Sequence, residues 1–177
     1  MGTLPLARRN IELKATDEHP ERSVEVCREL GAADHGVIWQ RDTYFNVAHG
    51  GLKMREESPG KPHLIQFERA DQPQQRQSSY RITSVENADE MRAALTASLG
   101  IRAVVEKHRH LFLWQQVRIH LDEVEGLGHF IELEAVAPAE SDLKGEHRLI
   151  VQLRDAFAIT DDRLCATGYA AQLLISD

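Results

Sequence analysis

The chain has 177 residues, of which 42% are hydrophobic and 28% are charged, and these proportions are typical of one folded globular domain. The formal net charge of −7 argues against general nucleic-acid binding, and no apolar run approaches the ~20 residues that a membrane-spanning helix needs. The two cysteines, Cys27 and Cys165, are too isolated for a disulfide framework or a zinc site. We therefore expect a single domain over residues 1–177, located in the cytoplasm, without a membrane or nucleic-acid partner.

The first half of the chain is typical of strands joined by short turns, with one helix. Alternation of polar with β-branched or aromatic residues predicts five strands, at Arg8–Ala15, Val37–Val47, Leu52–Glu56, His63–Arg69 and Ser79–Val85. Pro20 suits a first helical turn and Gly31 suits the position after a helix end, so a helix is predicted over Pro20–Leu30. The polar, Gln-rich stretch Ala70–Ser78 is interpreted as a flexible loop.

The second half of the chain adds three strands and three helices. Asn87 offers an N-cap with Glu90 three residues later, which predicts a helix that runs to Leu99 and stops at Gly100. The pattern then predicts strands at Ala103–Leu113, Gln116–Glu123 and His129–Val136. Two C-terminal helices are expected, at Ser141–Phe157 and Arg163–Leu174.

These elements indicate an α+β protein built around one antiparallel sheet. Eight strands joined mostly by short turns favour antiparallel neighbours, and eight such strands can close into a barrel wide enough for a small ligand. The apolar stripes of the helices must cover something, and the apolar face of the strands is the natural partner. The sequence therefore predicts an eight-stranded antiparallel barrel with helices packed on the outside. The charged strand face would point toward bulk water or into a central cavity.

The charge alternation on these strands is the most informative pattern in the chain. Segments such as 10–14, 118–122 and 130–134 each place their charged side chains on one face, because successive side chains of a strand point to opposite sides. Glu132 and Glu134 share a face and repel one another unless a positive charge lies between them. A divalent cation would supply that charge, and Mg²⁺ or Mn²⁺ prefers such oxygen ligands. A solvated outer sheet face is the alternative interpretation.

Three stretches of the sequence resemble the CYTH domains, also called triphosphate tunnel metalloenzymes. The segment 9–15 resembles the signature strand of that family, whose pattern is Glu-x-Glu-x-Lys. The stretches 42–55 and 118–134 follow it in the family's order, and their spelling is most similar to the class IV adenylate cyclase-like members. The resemblance implies an eight-stranded barrel, open as a tunnel, that binds a triphosphate and one or two Mg²⁺ or Mn²⁺ ions.

The resemblance also implies roles for particular residues. The metal ligands would be Glu12, Asp122, Glu132 and Glu134. The catalytic set would be Glu12, Lys14, Glu132 and Glu134. The residues that hold the phosphates would be Lys14, Lys53, Arg55, Lys107, Arg109 and Arg118, with Arg69 and Arg81 as further candidates.

The chain departs from the family pattern in two places. The first Glu of the signature is Asn10 here, which offers a carbonyl oxygen to a metal but carries no charge. No late Lys matches the basic residue that some members place near the C-terminus, so Tyr169 or the helix around it is expected to close that end instead.

Four functions stay open on the sequence alone. The first is metal-dependent hydrolysis of a small triphosphate, which would be inorganic triphosphate, a nucleoside triphosphate or thiamine triphosphate. The second is an adenylate cyclase, and the third is a non-catalytic binder of polyphosphate or nucleotide, suggested by Asn10. The fourth is a β-rich interaction domain with a solvated charged face. A monomer or a homodimer is expected.

Overall fold

The computed structural model describes residues 7–69 and 72–176, which form eight strands, four α-helices and a short 3₁₀ helix at Asp161–Arg163. The strands are β1 (Arg8–Thr16), β2 (Ala33–Phe45), β3 (Gly51–Ser58), β4 (His63–Arg69), β5 (Arg76–Ser84), β6 (Ile101–Trp114), β7 (Val117–Val124) and β8 (Gly128–Ala137). The helices are α1 (Pro20–Glu29), α2 (Ala88–Leu99), α3 (Lys144–Ala156) and α4 (Tyr169–Ser176).

The eight strands close into a barrel in the order β1-β5-β4-β3-β2-β6-β7-β8, and β8 pairs again with β1. Every neighbouring pair is antiparallel. Three pairings bring together strands that are distant in sequence: β1 with β5, β1 with β8, and β2 with β6. The predicted α+β architecture with an eight-stranded antiparallel barrel is therefore confirmed.

The period-two alternation of β1 separates an apolar outside from a charged inside. Ile11, Leu13 and Ala15 lie in the main hydrophobic core, whereas Glu12 belongs to the opposite, cavity-facing side. The core lies outside the barrel, between strands β1, β6, β7 and β8 and the helices α1 and α3. Ile150 of α3 is fully buried there, and burial of such a side chain contributes roughly 1.5–3 kcal/mol. Helix burial thus directs the charged strand face into the barrel.

Helix α4 occupies one end of the barrel. Its first residue, Tyr169, is 3% exposed and packs its ring 5.0 Å from the ring of Phe130, centroid to centroid. Val105 and Val124 complete this smaller apolar cluster. The sequence prediction that Tyr169 or its helix closes one end agrees with this arrangement. Within the described residues, none of the helices is long and apolar enough to cross a membrane.

Several predicted boundaries were wrong. Strand β5 begins at Arg76, inside the predicted loop Ala70–Ser78, whose first two residues, 70 and 71, lie outside the described residues. Strand β2 begins at Ala33 rather than Val37.

The two C-terminal helices also differ from their predicted limits. Helix α3 begins at Lys144 because Leu143 has a left-handed backbone conformation, with φ of +67°, that a helix cannot include. The predicted helix Arg163–Leu174 is interrupted because Leu164 forms a β-bridge with Ala15 of β1.

Candidate active site

The barrel encloses a cavity of about 330 Å³ that receives side chains from all eight strands. This volume lies at the lower end of the range of about 300–1,000 Å³ that is common for small-ligand sites. Its charged lining residues are Glu12, Lys53, Arg55, Glu57, Arg69, Arg109, Arg118, Glu132 and Glu134. The charged strand face therefore converges on an enclosed space.

The carboxylates of β1 and β8 face one another across the strand pair. Glu12 lies opposite Glu134 in the register. A neutral and a positive neighbour compensate the negative charge of Glu134. Asn10 Nδ2 donates a hydrogen bond to Glu134 Oε1, and Arg118 Nη1 lies 3.2 Å from Glu134 Oε2. Asn10, which stands where the family pattern has a Glu, thus binds the neighbouring carboxylate instead of repelling it.

Glu132 has the most cationic surroundings of the cavity carboxylates. Its Oε1 lies 3.1 Å from Lys14 Nζ, and its Oε2 lies 2.8 Å from Arg109 Nη2 and 3.3 Å from His120 Nδ1. Burial alone would raise the pKa of Glu132, but Lys14, His120 and Arg109 hold that pKa well below its usual range. Glu132 is therefore ionised at neutral pH.

Two arginines hold Glu12. Arg76 Nε donates to Glu12 Oε1 over 2.7 Å, and Arg69 Nη1 donates to the same oxygen over 3.4 Å. Arg76 is 2% exposed and also donates to the main-chain oxygen of Ala166, which ties β5 to the segment before α4. Sequence reasoning missed Arg76 because it falls in a Gln-rich stretch. Its alternation with Ser78 and Tyr80 was the signal that could have identified it.

On the opposite side of the cavity, Asp42 of β2 holds three cations. Its carboxylate accepts two hydrogen bonds of 2.7 Å from Arg55, and lies 2.8 Å from Lys53 Nζ and 3.2 Å from Lys107 Nζ. Burial alone would raise the pKa of Asp42, but these cations hold it well below its usual range. Burial lowers the pKa of Lys53 to about 8 and that of Lys107 to about 7. The sequence had not assigned Asp42 a role.

Asp122 was predicted to be a metal ligand, and the geometry gives it a different environment. Its side chain is completely buried and does not line the cavity. Arg109 donates to both of its oxygens, over 2.7 and 2.6 Å, and the Tyr169 hydroxyl donates over 2.8 Å. Burial would raise the pKa of Asp122, but Arg109 lowers it to about 2. Asp122 therefore acts as the counter-ion that orients Arg109.

Five of the eight predicted phosphate-binding residues line the cavity: Lys53, Arg55, Arg69, Arg109 and Arg118. Lys14 and Lys107 are buried beside the lining, and the ammonium group of Lys14 lies 3.3 Å above the centre of the Tyr169 ring. Arg81 is not part of the group. It is exposed and donates to Gln66 on the outside of the barrel, because on β5 the even-numbered residues face inward.

The cavity also contains donors that suit a hard divalent cation. Glu12, Glu132 and Glu134 offer carboxylate oxygens. The Asn10 Oδ1 atom is buried without a hydrogen-bond partner, and its orientation is fixed because Nδ2 donates to Glu134. Within residues 7–69 and 72–176, no three His, Cys, Asp or Glu side chains are gathered closely enough to hold a metal ion. The donor chemistry fits Mg²⁺ or Mn²⁺, but its oxygens are engaged by Lys and Arg in this conformation.

Comparisons with known proteins agree with this architecture. The family model of the CYTH domain matches residues 8–166 of the sequence. A putative adenylate cyclase of Methanocaldococcus jannaschii is 23% identical over 171 residues, which cover 90% of this chain and 95% of that protein.

Two solved structures share the fold. The PH1012 protein of Pyrococcus horikoshii OT3 has a TM-score of 0.81 at 20% identity, covering 92% of this chain and 98% of that one. A putative adenylate cyclase from Vibrio parahaemolyticus has a TM-score of 0.76 at 17% identity, covering 95% and 98%.

Proposed function

The chain belongs to the CYTH domain family, and on that basis we propose that it binds a small triphosphate in the barrel cavity and hydrolyses it. The observation that carries this proposal is the convergence of five cationic side chains and four carboxylates on one enclosed space. Phosphoryl transfer depends mainly on positioning and on stabilisation of developing negative charge. A cavity with this lining offers both.

The balance of charge inside the barrel supports an anionic ligand. The cavity lining and the buried residues that contact it contain eight Lys and Arg side chains and six carboxylates, an excess of two positive charges when every lysine is protonated, in a chain whose net charge is −7. The cations are Lys14, Lys53, Arg55, Arg69, Arg76, Lys107, Arg109 and Arg118, and the carboxylates are Glu12, Asp42, Glu57, Asp122, Glu132 and Glu134. An excess of two charges is smaller than the charge of a triphosphate, so a divalent cation that enters with the substrate would improve the balance.

The residues divide this work. Lys53, Arg55 and Arg109 would hold phosphate oxygens, since each already binds a carboxylate with the geometry that a phosphate also accepts. Glu12, Glu132 and Glu134, with Asn10 Oδ1, would hold Mg²⁺ or Mn²⁺ once a triphosphate has taken over some of their cationic partners. Such an ion, when bound, supplies charge neutralisation on phosphate oxygens and lowers the pKa of a bound water.

A second candidate function is adenylate cyclase activity. Two relatives, from M. jannaschii and V. parahaemolyticus, carry the name putative adenylate cyclase. The same cavity would serve this reaction if the ribose 3′-hydroxyl of ATP, rather than water, attacked the α-phosphorus and pyrophosphate left.

The two candidates differ in their products. Purified protein is incubated with inorganic triphosphate, ATP and thiamine triphosphate, each with Mg²⁺ and with Mn²⁺, and orthophosphate, pyrophosphate and cyclic AMP are measured. Metal-dependent orthophosphate release supports hydrolysis, whereas cyclic AMP with stoichiometric pyrophosphate supports the cyclase. Binding without any product would leave a non-catalytic triphosphate binder. Absence of both binding and turnover would refute the proposed function.

A further inference from the structure

One wall of the cavity is built mostly from apolar side chains. Ile65 and Phe67 of β4 and Tyr80 and Ile82 of β5 all face the cavity. They form two directly opposed cross-strand pairs, Ile65 with Ile82 and Phe67 with Tyr80. We call these four side chains the apolar wall. It lies on adjacent strands, of which β5 pairs with β1, whereas β4 is separated from β1 by β5 and from β8 by both β5 and β1 in the barrel order.

The apolar wall runs from the interior toward solvent. Ile65 and Tyr80 are 9% and 7% exposed, whereas Ile82 is 41% exposed. At the inner end, Phe67 lies opposite Gly51, where a Cβ would collide with its ring. The absence of a side chain at Gly51 therefore leaves the room that the Phe67 ring occupies. Apart from the Tyr80 hydroxyl, this wall offers no favourable contact to phosphate groups, whose oxygens require charge or hydrogen bonds.

A polar group that also lines the cavity lacks a partner. Gln40 is 4% exposed, and its Nε2 donates to Glu57 Oε2 over 2.9 Å. This bond fixes the orientation of the amide, so Oε1 is the free acceptor, and it is buried without a hydrogen-bond partner. Buried acceptors without a partner are costly, which makes Gln40 Oε1 a candidate to receive a donor from a ligand.

We propose that the ligand is an organic triphosphate, with a heterocyclic group against the apolar wall and a hydrogen-bond donor of that group on Gln40, and that inorganic triphosphate is the poorer ligand. A nucleoside triphosphate has this chemistry: a flat, largely apolar ring system with donors at its edge and a charged chain at the other end. Apolar walls with a few placed polar groups are the usual lining of sites for such ligands. The inference rests on the proposed function, since it assigns the class of triphosphate that the same cavity binds.

The test compares binding of two hydrolysis-resistant probes, the β,γ-imido analogue of ATP and imidotriphosphate, by calorimetry in the presence of Mg²⁺. For the unmodified protein we expect the ATP analogue to bind at least about tenfold more tightly, because it buries apolar surface that imidotriphosphate lacks. Equal affinities, or tighter binding of imidotriphosphate, would overturn the inference while leaving triphosphate binding intact. Failure of both probes to bind would refute the proposed function and the inference together.

Three variants localise the preference. Ile82→Ser shortens the exposed end of the apolar wall, and Gln40→Met replaces the unpartnered amide by an apolar group of similar length. Each is expected to reduce the ratio of the two affinities by about fivefold to tenfold. Val37→Ser makes a similar change at an exposed residue outside the cavity lining and should leave the ratio unaltered. Both affinities are measured on one preparation, so partial unfolding of a variant lowers both affinities alike and leaves their ratio unchanged. If the ratio in Ile82→Ser and in Gln40→Met equals that of the unmodified protein, the assignment is overturned.

Discussion

Replacement of Asp42 by Asn would test whether one buried carboxylate holds the cationic side of the cavity together. Asp42 is 1% exposed and contacts three cations, which its loss would leave without their shared counter-ion. Removal of one partner from a buried ion pair costs about 3–5 kcal/mol. For a domain of this size that loss corresponds to a fall in Tm of roughly 6–20 °C. Urea unfolding followed by circular dichroism measures the free energy directly.

The pH dependence of the Asp42→Asn deficit provides a sharper test than its size. In the unmodified protein the pKa of Lys107 is about 7 and that of Lys53 about 8, both below the ordinary pKa of a lysine, because both side chains are buried. From about pH 7 up to the ordinary pKa of a lysine, the unfolded chain therefore binds more protons than the folded chain, and the free energy of unfolding rises with pH across this range. Asp42 raises both lysine pKa values, so its loss lowers them further. The deficit of the variant should be large at pH 6, where Asp42 is ionised in the folded and the unfolded chain, and should shrink as pH rises through about 8.

Arg55 cannot lose its proton, so part of the Asp42→Asn deficit should persist at every pH. Asp155→Asn is the matched control, because Asp155 lies exposed on α3 and its substitution should change the free energy of unfolding by less than about 0.5 kcal/mol. The reasoning would be refuted if Asp42→Asn unfolded within about 1 kcal/mol of the unmodified protein at pH 6. A deficit of equal size at pH 6 and pH 9 would refute the lysine part of the argument.

Three further predictions concern the site. Glu132→Gln should retain the circular dichroism spectrum but lose roughly 100-fold or more in turnover, and Glu123→Gln, on the outer face of β7, should not. The affinity of imidotriphosphate should weaken from pH 7 to pH 9 as Lys53, with a pKa of about 8, loses its proton; Lys53→Arg should flatten that dependence, and equal slopes would contradict it. Arg69→Gln should weaken imidotriphosphate binding about tenfold, since it removes one of the five cations that line the cavity; unaltered calorimetric affinity would remove Arg69 from the phosphate site.

The barrel could be predicted because an alternation with a period of two residues both identifies a β-strand and assigns its side chains to one face or the other. On β1 the alternation from Asn10 to Lys14 assigns opposite faces to its apolar and polar residues, and the short turns make neighbours antiparallel. The helices then required the apolar face, so the polar face had to point away from them. This reasoning recovered the number of strands and most of the charged residues that converge in the cavity.

Pairwise contacts inside the barrel could not be predicted in the same way. Alternation places Asp42 and Lys107 on a face, but their distance of 3.2 Å depends on which residues of β2 and β6 lie opposite each other. That register includes two irregularities that no local pattern indicates. Asp122 illustrates the consequence: the family resemblance implied that it is a metal ligand, and the register places it beside Arg109, which occupies both carboxylate oxygens.

The failure at Arg81 follows from a reversal of polarity on two strands, and that reversal has a functional meaning. If the charged face pointed inward everywhere, Arg81 would enter the cavity. On β5 the inward positions on either side of Arg81 are Tyr80 and Ile82, and Arg81 lies outside. A wall that bound only phosphate would gain from an inward Arg81 and would have no use for Ile82. Departures from a local rule tend to mark functional positions, and this one occurs at the wall where we propose that an organic group attached to the triphosphate lies. Arg81 and the apolar wall are thus two aspects of one feature, and the binding comparison between the two imido analogues tests it.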